Sequence, residues 1–194
     1  MGRPALQNRL SPAEYLVFER SSHEKHEYAN GELFAVSGGT REHSLLQGNI
    51  QRELGNALLE RPCEVHTADM RVKIAASGRY VYPDASVVCG EPRFEDAHVD
   101  TLVNPSVVVE VLSESSEAYD RGDKFAQYQR AASISDYVLI SQTEARVEHF
   151  RRQPDGRWLL TVLGPGTTLA LESIGVNVAV DRIYLKVALP SPED

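Results

Sequence analysis

Nowhere in its 194 residues does this chain string together the ~20 apolar residues of a membrane-crossing helix, and its first residues form no apolar export segment. A helical membrane protein is excluded, and the expected location is the cytoplasm. Cysteine is scarce. Cys63 and Cys89 stand alone, without metal-type spacing, each beside or within an expected strand, and are read as buried, reduced thiols. Basic residues are outnumbered, 20 Lys and Arg against 28 Asp and Glu, for a net charge of −8. A broad basic face for nucleic acid is therefore missing, although a local basic rim can serve in an acidic protein. No Gly-x-Ser-x-Gly elbow marks a serine hydrolase, and no glycine-rich phosphate loop with Lys-Ser/Thr marks an NTPase. His23 and His26 are one residue too close for the helical zinc-protease motif and fall where loop and strand are expected, so that class is rejected.

What is present is an ordinary globular composition, 42% hydrophobic and 25% charged, long enough for one well-filled core. With no repeat, low-complexity tract or linker, residues 1–194 are expected to form one domain with a core over about 11–185. Ser11-Pro12-Ala13-Glu14 is a capping box with proline at the first helical position, and predicts a helix to about Arg20. Asn30-Gly31 between extended runs predicts a hairpin of 25–29 and 32–36, because a type I′ turn needs positive φ twice. Leu46, Ile50, Leu54, Ala57 and Leu58 recur at helical spacing over 41–60, and Pro62 ends that helix. Strands are expected at 63–67, 70–75, 80–89 and 106–112, with a polar connector over 90–105. A helix capped within Ser113–Ser116 should end near Arg130. Strands at 136–142, 146–152, 158–163 and 167–171 follow, then a short helix or turn at 181–185 and a frayed tail from Leu189.

Two acids interrupt runs that otherwise read as buried strand: Asp84 in Val81–Val88, and Glu110 in Val107–Leu112. An ionised carboxylate without a partner costs several kcal/mol or more to bury, so something must answer its charge. Two such acids on adjacent strands would repel unless a cation or proton lay between them. Magnesium takes a few carboxylate oxygens and keeps several waters. Asp84 and Glu110 with a backbone carbonyl such as that of Val111 would suffice. The plainer alternative is that Asp84, after Pro83, merely opens a strand or turn; it fits Glu110 less well, in mid-strand. Strand alternation puts Glu110 on one face with Val108 and Leu112.

Asp120, Lys124 and Tyr128 follow at i, i+4 and i+8 on one helix face. They read either as a solvated Asp–Lys pair with a core tyrosine, or as a lysine reaching toward a metal-bound phosphate. His43 is a hydrogen-bonded core histidine or a site residue, and Glu27 a solvated strand residue or a further acid.

Taken in order, Lys25-His26-Glu27-Tyr28 with Asn30-Gly31, Glu42-His43-Ser44, Tyr82 through Cys89, Pro105 through Ser113, and Asp120 through Lys124 with Tyr128 resemble the Uma-two family of bacterial restriction endonucleases. That family is a branch of the PD-(D/E)XK nuclease superfamily, and the likeness runs from about Ser11 to Tyr184. It implies an α/β (α+β) restriction-endonuclease-like core, a central mixed sheet flanked by helices with the active site at a sheet edge. It also implies Asp84 and Glu110 as catalytic ligands of magnesium or manganese. The superfamily lysine belongs at Leu112, and Lys124 on the following helix is its natural substitute. Glu27, His43, Asp120 and Tyr128 become accessory residues. The implied activity is metal-assisted hydrolysis of a nucleic acid, DNA above all, by a homodimer suited to cutting two strands. The reading from a different class is a weakly active or inactive nuclease fold serving as a dimeric metal-binding or interaction module, with Tyr137, Val138, Ile140, Val147 and Phe150 as its self-association surface.

Overall fold

A computed structural model describes residues 9–190. It has mixed sheets flanked by helices, as the sequence leads one to expect. Helix α1 (Pro12–Ser21) starts at the anticipated capping box, with Ser11 accepting from the Glu14 amide and the Glu14 carboxylate accepting from the Ser11 amide. Strands β1 (His26–Ala29) and β2 (Glu32–Ala35) meet at Asn30-Gly31, whose φ angles of 52° and 91° are those the hairpin turn demands. Helix α2 (Arg41–Leu58) buries Leu46, Ile50, Leu54 and Leu58. Full burial of each contributes roughly 1.5–3 kcal/mol.

Next come β3 (Cys63–Thr67), β4 (Arg71–Ile74), β5 (Arg79–Val81), β6 (Ala85–Cys89), β7 (Thr101–Leu102) and β8 (Val107–Val111). The expected single strand over 80–89 is in fact two. Pro83 has no amide proton for a ladder, and the chain leaves one sheet at β5 and enters another at β6. Short β7, paired parallel to β4, lies within the stretch read as a plain connector. After β8 the chain forms α3 (Glu117–Tyr119), a π-helical turn over Asp120–Lys124, and α4 (Phe125–Tyr128). Strands β9 (Asp136–Ile140), β10 (Val147–Arg152), β11 (Trp158–Leu163), β12 (Thr168–Leu171) and β13 (Val176–Ala179) and helix α5 (Val180–Ile183) complete it.

The main sheet has the order β11-β10-β9-β8-β6-β3, antiparallel except for β8 beside β9. A second sheet runs β2-β1-β5-β4-β7, and β12 pairs with β13 alone. One face of the main sheet presents Ala85, Val87, Val109 and Val111 to α2 and the C-terminal elements. The other presents Val88, Val108, Leu112 and Leu139 to the second sheet and to Tyr128. Tyr137, Val138, Ile140 and Val147 are fully buried and Phe150 half-buried, so they are core, not the self-association surface expected of them. The tail from Leu189 is described only to Pro190; the rest lies outside the described residues.

The cysteines correct a second expectation. Cys63 and Cys89 face each other across β3 and β6 and form a disulfide, leaving no free thiol. Periodicity marks each as a strand residue but is silent on strand register, and register brings them together. The bridge closes 26 residues of chain, for which the chain-entropy estimate is about 3.5 kcal/mol. Dithiothreitol should lower the urea midpoint of the wild type and leave a Cys63→Ser/Cys89→Ser double variant unmoved. An equal response from both would refute the bridge.

Helix α1 is held to the 90–105 loop by Arg20, which donates from Nε to Asp100 at 2.7 Å and from Nη2 to Asp96 at 2.8 Å. The Arg20 guanidinium is the main reason the Asp100 carboxyl is held well below its ordinary value. A depressed folded-state pKa contributes stability above the ordinary aspartate value near ~4, and that contribution is lost as pH falls through the lowered one. Arg20→Met should therefore be less stable than wild type at pH 7, with the gap closing in strong acid. A gap of constant size in urea titrations at both pH values would rule this out.

Candidate active site

The β6–β8 register pairs Ala85 with Val109 and Ser86 with Val108. Extended by one residue, it sets Asp84 opposite Glu110, and parity puts both on the Val108–Leu112 face. Both line a cavity of about 370 Å³ where the two sheets meet, together with Glu27, His43, Val111, Asp120 and Lys124. The two acids are thus neighbours on one face, and the structure brings every expected site residue to them.

Glu110 is 4% exposed, and its Oε1 accepts from the Tyr128 hydroxyl at 2.9 Å. Lys124 Nζ lies 2.8 Å from the same oxygen, 3.1 Å from Glu27 Oε1 and 3.5 Å from Asp120 Oδ1. Asp120 and Lys124 are both buried, which settles the two readings of that pair against the solvated one. They sit at the two ends of the π-helical turn, a helix irregularity often found at functional sites. Leu112, two residues beyond Glu110, is buried in the core.

Asp84 is held from two sides. Its Oδ2 accepts from the Val111 amide at 2.6 Å and lies 3.5 Å from His43 Nε2, while its Oδ1 accepts from the Gln47 side-chain amide. Gln51 donates to the Asp84 carbonyl oxygen at 2.9 Å. Sequence reasoning missed Gln47 and Gln51. Their signal was available, since they follow His43 at one and two turns along the same helix row. Thr40 caps α2 by accepting from the His43 amide, and Gly39 lets the imidazole lie close, because a Cβ there would come within 2.7 Å of Nδ1. The Glu27 carboxylate also accepts from the Tyr82 amide at 3.2 Å, tying the second sheet to the Pro83-Asp84 segment.

Four carboxyls, from Glu27, Asp84, Glu110 and Asp120, face one ammonium in this cavity. Burial pushes Glu110 well above the ordinary carboxylate range, Asp120 and Asp84 add to that, and Lys124 opposes it. Asp120 is raised, again chiefly by burial. For Lys124, burial alone would favour the neutral amine, but Glu110, Glu27 and Asp120 outweigh it and the lysine keeps its proton. His43 behaves likewise, with Asp84 and the Val111 carbonyl overcoming burial to raise its pKa. The site is therefore short of positive charge.

Among the described residues no group of three or more His, Cys, Asp or Glu is arranged to hold a metal by itself. A hard divalent cation needs less, two carboxylates and a carbonyl with water completing its shell. Asp84, Glu110 and the Val111 carbonyl, which faces the His43 ring, are oxygen donors of that kind. Glu110 Oε2 accepts no hydrogen bond among the described residues. The residues fit magnesium or manganese.

The sequence pattern of the Uma2 family, described as "putative restriction endonuclease", matches residues 12–181. The chain belongs to the Uma2 family. Two Synechocystis relatives, both named only as uncharacterized proteins, slr1290 and sll1609, share 38% and 35% identity with it. The alignments cover 93% and 92% of this chain and 94% and 95% of the relatives. A crystal structure from Anabaena variabilis, titled a "putative nuclease belonging to DUF820", superposes with a TM-score of 0.72 at 15% identity. It covers 90% of this chain and 97% of the other, and at that identity shows a shared fold. Membership in Uma2 places the chain in a nuclease-type family.

Proposed function

We propose that this Uma2 protein is a metal-dependent nuclease that hydrolyses phosphodiester bonds of DNA. The observation that carries the reading is Lys124. It comes from the helix after β8 and ends 2.8 Å from Glu110, so its ammonium stands in for the lysine that Leu112 displaces. Magnesium or manganese held by Asp84, Glu110 and the Val111 carbonyl would polarise the phosphate and activate the attacking water. The protein's own contribution is positional. Val111, Gln47 and His43 fix the Asp84 carboxylate, and Tyr128 fixes that of Glu110. Glu27 and Asp120 hold the Lys124 ammonium, which then offsets charge growing on the phosphoryl oxygens.

The test is plasmid and single-stranded DNA incubated with the purified protein, with manganese or with EDTA, beside Asp84→Ala and Glu110→Ala variants. Cleavage must need the metal and must vanish in both variants. Equal traces in all three proteins would signal contamination and sink the reading.

One observation favours the other class, a nuclease fold retained as a metal-binding module. Among the described residues Lys124 is the single Lys or Arg lining the cavity, so phosphate finds little to bind besides the metal. Metal binding without cleavage, lost in Asp84→Ala, would select that alternative. A homodimer suits the cutting of two strands.

A further inference from the structure

Natural sheets blunt their open edges with charge, proline or short strands, because an unpaired edge invites another strand. Most edges here obey. Strand β2 has four residues with Glu32, β7 has two, and β3 carries Glu64 and His66. Strand β11 does not. It is Trp158-Leu159-Leu160-Thr161-Val162-Leu163, six residues without charge, proline or glycine, at the end of the main sheet. Leu159, Leu160 and Val162 are 47%, 46% and 52% exposed. Its inner side pairs with β10 along its whole length, and its outer backbone groups bond to no described residue.

We propose that β11 is the contact between two copies of this chain, which meet edge to edge as antiparallel strands about a two-fold axis. An axis normal to the sheet keeps each face on its own side, so opposed residues must share parity. With Leu160 on the axis, Leu160 meets the partner's Leu160, Trp158 meets the partner's Val162, and Leu159 meets the partner's Thr161. Centring on Thr161 instead would set Trp158 against the partner's Gly164, which has no side chain to add to the Phe125 and Arg152 packing of the indole. Charge argues for a second copy at this edge. A chain of net charge −8 repels itself over most of its surface. Strand β11 carries no charge, and Arg151 and Arg157 beside it are already paired with Glu172 and Asp155, so two copies can approach there without like charges meeting. The strand pair is small for an interface, so the dimer forms at micromolar concentration and dissociates on dilution. This contact is independent of the hydrolysis proposed above.

Sedimentation velocity across a concentration series should show twice the 21.5 kDa mass of one chain at the concentrated end. Leu160→Lys brings two ammonium groups together on the axis and should weaken the dimer at least ~10-fold. At concentrations where wild type is a single chain, its melting curve should match the wild-type one, since the side chain is exposed there. Val17→Lys, at an exposed position on α1, should leave the dimer intact. Because Cys63 and Cys89 are paired, Leu160→Cys adds a lone thiol and should yield a covalent dimer in air, whereas Thr161→Cys should not. A single-chain mass at every concentration, a dimer indifferent to Leu160→Lys, or cross-linking through Thr161→Cys alone would each overturn the proposal.

Discussion

Asp84→Asn and Glu110→Gln should each cost at least about a thousand-fold in metal-dependent cleavage, because the several kcal/mol supplied by a bound divalent cation go with the ligand. Both changes keep size and remove the charge; at position 84 the Gln47 side-chain amide, which donates to Oδ1, must turn over and present its oxygen to the new NH2 group. The amide oxygen introduced at position 84 can still accept from the Val111 amide, and the Tyr128 hydroxyl can still donate to the new amide oxygen at position 110, so the fold should persist. Glu110→Gln should even unfold at equal or higher urea concentration when metal is absent, since it relieves an acid that burial already drives toward its neutral form. The decisive measurements are manganese titration by calorimetry and initial cleavage rates. If either variant bound manganese as wild type does and still cut, the assignment of these two acids would fail.

Lys124→Met should have the second large effect, and it separates charge from packing. Methionine fills most of the lysine's volume, but three carboxylates lose the ammonium within 3.5 Å of them. Removing one partner from a buried ionic cluster destabilises by about 3 to 5 kcal/mol. A divalent cation held by Asp84 and Glu110 would answer one of those three acids, Glu110, so manganese should raise the urea midpoint of Lys124→Met more than that of wild type. Cleavage should nevertheless stay about a hundred-fold or more below wild type, because the fixed cation beside the phosphate is gone. A midpoint shift no larger than the wild-type one would show that Lys124 and the metal do not share Glu110.

Much of this site was legible in the chain itself. An acid inside a valine strand is conspicuous because burial without a partner is costly, and Glu110 is buried in the middle of β8 as its flanks implied. The Asp120, Lys124, Tyr128 row could be read in two ways from spacing alone. Only the placement of that helix over the Glu110 face chose between a solvated pair and a buried cluster. Gln47 and Gln51 went unread because a glutamine on a helix row carries no mark of its partner, which here comes from the segment leading into β6. The break at Tyr82-Pro83-Asp84 was misjudged as continuous strand, although proline's missing amide proton foretold it.

The amino-acid pattern alone determined the capping box, the Asn30-Gly31 turn, the alternating strands and the two acids set among apolar neighbours, since each depends on residues within a turn or two of one another. Strand register, the pairing of Cys63 with Cys89, the junction of two sheets at the cavity and the bare edge of β11 depend on segments far apart in the chain. No local preference encodes which of them meet. That was decided when the faces were buried together, where a slip of one residue would have turned Asp84 and Glu110 to opposite sides of the sheet.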